Sequence, residues 1–238
     1  MSLRTKWRPT DLFLICFRDR DILVVEKKAG VLTVGRPSGR GVDLMTALEH
    51  HNGGRAPIAV HRLDRPVSGL LVVARHPRAE RALIEQFREH AVERRYLAAV
   101  SGLMKDDEGT FESRMESRDA SLRMRSSERG KRAITHYKVV DRAEAAEVSF
   151  VEIEIETGVR NQIRVHFAEA GHPLLGEKKY LDPDDPESSA AQGTERIFLH
   201  ADVLGFHHPM TGRPLRFEAP LPAELMGWRK RLLRTTRP

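Results

Sequence analysis

Asp64 stands in "AVHRLDRPVSG", residues 59–69, as one carboxylate among His61, Arg62 and Arg65. A carboxylate kept ionised by a guanidinium can act as a nucleophile. The plainer reading is a turn-forming Asp with a surface ion pair. Tyr96, preceded by "ERR", is the second candidate. Its ring could stack on a base and its hydroxyl could move a proton; a Tyr opening a strand is otherwise a packing residue. The third element is "ETGVRNQIRVHF", a strand, a Thr-Gly turn and a helix start carrying Arg160 and Arg164. Helix N-termini attract anions. An arginine there could pair with a buried Asp, or could simply snorkel at the surface.

Periodicity supplies the elements that must hold these residues. "DILVVEKKAGVLTVG" reads as a strand, Ile22 to Val25, then a turn and a second short strand. "GVDLMTALEHH" has helical spacing. "IAVHRLD" reads as a strand ending at Asp64, "RPVSG" as a turn and "LLVVAR" as a buried strand. "HPRAERALIEQFREHAVERR" is a helix with Pro77 at its first position and Ala79, Leu83 and Phe87 in a stripe. "RYLAAVSG", "ITHYKVV" and "VSFVEIEIETG" are strands; in the last, Val151, Ile153 and Ile155 alternate with glutamates. A helix from about Asn161 to Ala170 ends at Gly171. Two strands flank "HPMTGRP", and a basic helix closes the chain. Strands joined by turns with few helices imply an α+β fold around a mixed, mostly antiparallel sheet in two lobes. The expected organisation is an N-terminal extension over 1–20, a catalytic domain over 21–222 and a basic tail over 223–238.

Two segments differ in composition. Residues 105–132 have little periodicity and many arginines, and read as an exposed hairpin or loop. Arg123, Arg125, Arg129 and Arg132 there could reach a nucleic acid, or only water. Residues 181–196 are polar, acidic and expected to be exposed.

The 238 residues can bury a real core, and the net charge of +6 favours a polyanionic partner, though weakly. Cys16 is the only cysteine, which excludes an intrachain disulfide and a cysteine-based zinc site. The apolar run "LFLICF" is too short to span a membrane. A cytoplasmic monomer without membrane association is expected.

"HRLDRPVSGLLVVAR" resembles the central motif of the RluA-type pseudouridine synthases, HRLDxxTSGxxxxA. "DILVVEKKAGVLTV", "RRYLAAV", "KRAITHYKVV", "ETGVRNQIRVHFAEAGHPLLGEKKY" and "IFLHADVLGFHHPMTGRPLRFEAPLP" follow the family's order, from about residue 20 to 222. The resemblance implies the family's catalytic fold, with a cleft between its lobes. It also implies isomerisation of uridine in ribosomal or transfer RNA to pseudouridine, with no cofactor and no metal. It assigns the catalytic carboxylate to Asp64, the ring that stacks on uracil and serves as late base to Tyr96, and the salt-bridge partner of Asp64 to Arg164. Arg62 matches an arginine that enters the RNA as the base flips out. His61, Arg160, Arg123, Arg125, Arg129 and Arg132 are the further RNA-binding candidates.

The chain departs from the pattern at Val67, where the family has Thr, and at Val159 and Asn161, where it has Arg and His. About twenty residues precede the first matching strand, so no S4-type domain is expected. A non-catalytic RNA-binding protein on the same fold is the alternative. A metal-dependent hydrolase is prompted by His200, His207 and His208, whose spacing matches no ligand set.

Overall fold

A computed structural model describes residues 12–35, 43–117, 123–181 and 196–234. The chain forms two units, each built on antiparallel pairs. The first takes residues 1–92 and 203–219, the second 93–202 and 220–238.

The first unit contains β1 (Phe13–Arg18), β2 (Ile22–Lys27), α1 (Leu44–His51), β3 (Ile58–Ala59), β4 (Ser68–Ala74), α2 (Pro77–Arg88) and β11 (Pro214–Glu218). The strand β10 (Leu199–His207) contributes Val203–His207 here and Leu199–Asp202 to the second unit. β2 lies between β1 and β4, and β11 pairs with β10. Every residue of β4 is buried. Ile22, Val24, Leu70 and Val72 pack with Ala79 and Leu83 of α2, so the stripe read from the sequence is the face that meets the sheet. α2 starts as expected at Pro77, with His76 Nδ1 accepting from the Ala79 N–H at 3.2 Å. β1 falls within the stretch expected to be an extension, and its register with β2 makes it the sheet's outer strand.

The second unit contains β5 (Glu93–Ser101), β6 (Glu108–Ser117), β7 (Met124–Ser126), β8 (Lys131–Ala143), β9 (Val148–Ile155), α3 (Gln162–Glu169) and α4 (Ala223–Arg234). Its strand order is β10, β5, β9, β8, β6, β7. α4 covers a cluster that includes Ala99, Phe150 and Phe198 through Leu225, Trp228 and Leu232. Val165 of α3 joins Met115, Met124, Ala133 and Tyr180 in another. The arginine-rich segment is a β6–β7 hairpin, with residues 118–122 outside the described part. The acidic stretch 182–195 also lies outside it.

Two expected strands are corrected. Residues 31–35 form no strand. The Leu32 and Thr33 carbonyls instead accept from the Leu44 and Met45 N–H groups at the start of α1, satisfying donors a helix leaves open. The strand expected to end at Asp64 stops at Ala59. Residues 60–67 are a loop whose backbone groups bond to residues 27–33 rather than to a ladder.

Candidate active site

Asp64 sits half-buried on that loop, and its carbonyl accepts from the Val67 N–H at 3.1 Å. Three long-range clamps hold the backbone around it. Thr33 Oγ1 donates to the Leu63 carbonyl at 2.8 Å and accepts from the Leu63 N–H at 3.2 Å. The Gly30 N–H donates to the Arg65 carbonyl at 2.7 Å, and Arg65 Nε returns a bond to the Gly30 carbonyl at 2.9 Å. Lys27, fully buried, donates through Nζ to the carbonyls of Lys28, Val31 and Val67 at 3.0, 2.9 and 2.6 Å. Its three protons match three acceptors. Gly30 has φ +84°, a conformation that favours glycine. Val67, where the family has Thr, is 2% exposed and contributes its backbone to the clamp.

His61 is anchored to the fold. Its Nε2 accepts from the Val72 N–H at 3.0 Å, and its ring stacks on Phe87 at 4.6 Å. Arg62 is exposed.

Tyr96, Arg160 and Arg164 belong to the second unit. Tyr96 lies on β5 opposite Ile153 of β9 and is 7% exposed. α3 is positioned by Gln162, whose Oε1 accepts from Thr157 Oγ1 and the Val159 N–H. Gln162 Nε2 donates to the Ile134 carbonyl and Thr135 Oγ1. Asn161 precedes α3 with φ 55°, which Asn tolerates better than most residues. Its Nδ2 donates to the Tyr180 hydroxyl at 2.7 Å, and its Oδ1 accepts from Arg164 Nη1 at 3.2 Å. Val159 packs on the Met115–Tyr180 cluster. Two of the three departures thus serve local packing and α3 geometry. Arg160 is half-buried just before Asn161.

Arg164 makes a two-pronged pair that the sequence reading missed. Its Nε and Nη2 donate to the two oxygens of Glu177, both at 2.8 Å. Glu177 is fully buried and also accepts from the Lys178, Lys179 and Tyr180 N–H groups. Burial alone would push its carboxyl up; Arg164 and the Lys179 and Tyr180 N–H groups outweigh it and hold it below the ordinary range. The Tyr180 ring lies 5.1 Å from the Arg164 guanidinium carbon. Nearby His166 bonds Thr135 Oγ1 at 2.9 Å and Ser113 Oγ at 3.0 Å. Burial pushes its pKa down to about 4.

Two arginines of the 105–132 segment have acidic partners that composition did not reveal. Arg132 pairs with Glu112 at 2.7 Å and Arg125 with Glu116 at 3.6 Å. Arg123 lies over the Tyr180 ring at 5.7 Å, and Arg129 is exposed.

Among the described residues, Asp19, Asp21 and His208 group ligand atoms within 4.8 Å. The set does not fit a metal. His208 Nδ1 accepts from the Met210 and Thr211 N–H groups, so Nε2 carries the proton and donates to Asp19 at 2.7 Å. A metal on Nε2 would move that proton onto Nδ1, against two donors.

The family model for RNA pseudouridylate synthase matches residues 21–169. The chain belongs to that family. It is similar to an uncharacterized RNA pseudouridine synthase of Bacillus subtilis, with 38% identity covering 91% of this chain and 71% of that protein. Against ribosomal large subunit pseudouridine synthase D of Xylella fastidiosa the identity is 36%, covering 94% and 71%. The human RNA pseudouridylate synthase domain containing 1 structure matches with TM-score 0.72 and 25% identity, over 95% of this chain and 96% of that one. The protein is therefore an RNA pseudouridine synthase, an isomerase with RNA as its substrate and the α+β fold of that family. No helix among the described residues is long and apolar enough to cross a membrane.

Proposed function

We propose that this enzyme isomerises a uridine in large-subunit ribosomal RNA, in the cytoplasm, with Asp64 as the residue on which glycosidic cleavage depends. The observation that carries the Asp64 assignment is the set of three clamps. They fix the backbone on both sides of it, through main-chain groups of Leu63, Arg65 and Val67. Support for the substrate comes from relatives in Xylella fastidiosa and Zymomonas mobilis, both named ribosomal large subunit synthases.

The target nucleotide must leave its stack before the bond is reached. Arg62 takes the vacated space. His61, Arg160, Arg123, Arg125, Arg129 and Arg132 contribute contacts to the RNA. The N1–C1′ bond breaks with the help of the Asp64 carboxylate, and the reaction depends as well on the Arg164 guanidinium. The uracil rotates against the Tyr96 ring, and C5 bonds to C1′. Loss of the C5 proton and gain of one at N1 complete the isomer, with no oxidant or reductant consumed.

Nucleotide-resolution mapping of pseudouridine in ribosomal and transfer RNA, with and without the gene, tests the substrate. Loss of one or a few large-subunit positions is the expected result. Loss confined to transfer RNA would overturn it.

A further inference from the structure

Along β5, Glu93 is exposed, Arg94 buried, Arg95 half-buried and Tyr96 buried. A period of two puts Arg94, Tyr96 and Ala98 on one face. A guanidinium on a buried face is costly unless its donors are used. Arg94 Nη2 donates to the carbonyls of Ile155 and Glu156 at 3.2 and 2.6 Å. These are the last backbone acceptors before the Thr157–Gly158 turn that leads into α3. A Cβ at Gly158 would stand 3.1 Å from Arg94 Nη1, so glycine lets the turn close on the guanidinium. Burial pushes the Arg94 pKa down, while the charge of an ionised Tyr96 pulls it back up. Such coupling is reciprocal: a cation favoured by the phenolate favours the phenolate in turn.

Among the described residues, the charged groups nearest in sequence and register have positions of their own. Arg95 points to the opposite face, where it pairs with Asp202 at 2.7 Å and approaches Glu152 at 3.8 Å. Glu154 is in register with Arg95, and the residue opposite Tyr96 is Ile153. Glu156 bonds His136 at 2.7 Å, and Arg164 pairs with Glu177. By the functional reading, the uracil completes the surroundings of the phenol.

We propose that Arg94 is a positioning residue that braces the Thr157–Gly158 turn and serves as the buried cation favouring the ionised Tyr96 phenol. The inference rests on the reading of Tyr96 as the late base. In that step the C5–H bond breaks and the phenolate oxygen takes the proton. The C5–H pair forms the C5=C6 double bond, and the C6=N1 pair moves onto N1, which takes a proton from water. The phenol then returns its proton to solvent.

The test compares wild type, Arg94→Gln, Arg94→Lys and Tyr96→Phe. The first readout is ultraviolet titration of phenolate, with the Tyr96 signal obtained by subtracting Tyr96→Phe; the chain has only 3 tyrosines. The second is the pH profile of single-turnover tritium release from RNA carrying 5-tritiated uridine. Arg94→Gln should move the Tyr96 titration and the rising limb of the profile to higher pH together. A shift of one unit slows release at neutral pH about tenfold. Arg94→Lys keeps the charge and loses the fork, so its titration should stay near wild type while its unfolding temperature falls. Titrations that superimpose for wild type and Arg94→Gln would overturn the inference. So would an Arg94→Lys titration shifted well away from wild type, which can be read even if the Gln variant fails to fold. Full release by Tyr96→Phe with an unchanged profile would instead remove the base reading itself, whatever the titrations show.

Discussion

The Asp64 loop and the Arg164 helix hold their key side chains by opposite means. Around Asp64 the fixed object is backbone: Lys27, Thr33 and Gly30 bond main-chain groups of Val67, Leu63 and Arg65. On α3 the fixed object is the side chain itself, with three of the five Arg164 N–H groups taken by Glu177 and Asn161. A loop has no ladder to align it, so a carboxylate placed there needs its neighbours pinned. A helix already aligns its backbone, so what remains to be set is the direction of a long, flexible guanidinium.

The contrast is broken most severely at Glu177. Glu177→Ala leaves the Arg164 charge buried, at a cost of about 3–5 kcal/mol. Urea unfolding should show that loss, and turnover should fall with it. Unchanged turnover in a folded variant would mean that Glu177 does not direct Arg164. Lys27→Met is the corresponding change on the loop. It strands three carbonyls for roughly 3 kcal/mol, and should lower kcat while RNA affinity holds. A loss confined to affinity would contradict a role in placing Asp64.

Acid sharpens the comparison. His166 has a folded pKa near 4, below its ordinary 6.5, because burial disfavours its charge. Below pH 6.5 the unfolded chain takes up a proton that the folded chain refuses. Stability therefore falls as pH drops from 6.5 to 4 and levels off below, by up to about 3 kcal/mol. Asp19, in the first unit, behaves differently. Burial would raise its carboxyl, but the Ile22 and Asp21 N–H groups and His208 hold it below 3.8. Its contribution is present above pH 3.8 and is lost only as pH falls through its lower, folded value. Hydrogen exchange should show α3 amides loosening between pH 6.5 and 4 while β2 and β4 stay protected. Equal loosening of both would erase the distinction.

The smallest effect is expected on the hairpin. Neutralising Arg123, Arg125, Arg129 and Arg132 together should weaken RNA binding and flatten its salt dependence. The Glu112 and Glu116 partners make the change in slope smaller than four full charges. An unchanged slope would leave those arginines as solvated surface.

Local pattern made parts of this legible and hid others. Asp64, Tyr96 and Arg164 stood out by residue type and motif, and α2 by its Pro77 start and apolar stripe. The end of the strand before Asp64 was misjudged because the bonds that stop it come from Lys27, Gly30 and Thr33, 30 to 40 residues from the groups they bond. Apolar spacing carries no trace of such bonds. Glu177 was missed for the same reason, although an acid at the head of "EKKY" directly after an apolar run was a usable signal. Arg94 had a clearer one, since it shares the in-facing phase of β5 with Tyr96 and Ala98.

The most direct measurement is tritium release from RNA carrying 5-tritiated uridine, by wild type and Asp64→Asn, with folding of both checked by their unfolding curves. Asn keeps the size of the side chain and removes the ionisable carboxylate. Release by wild type and none above background by a folded Asp64→Asn is the predicted result. Equal release by the two would contradict the assignment of the reaction to Asp64.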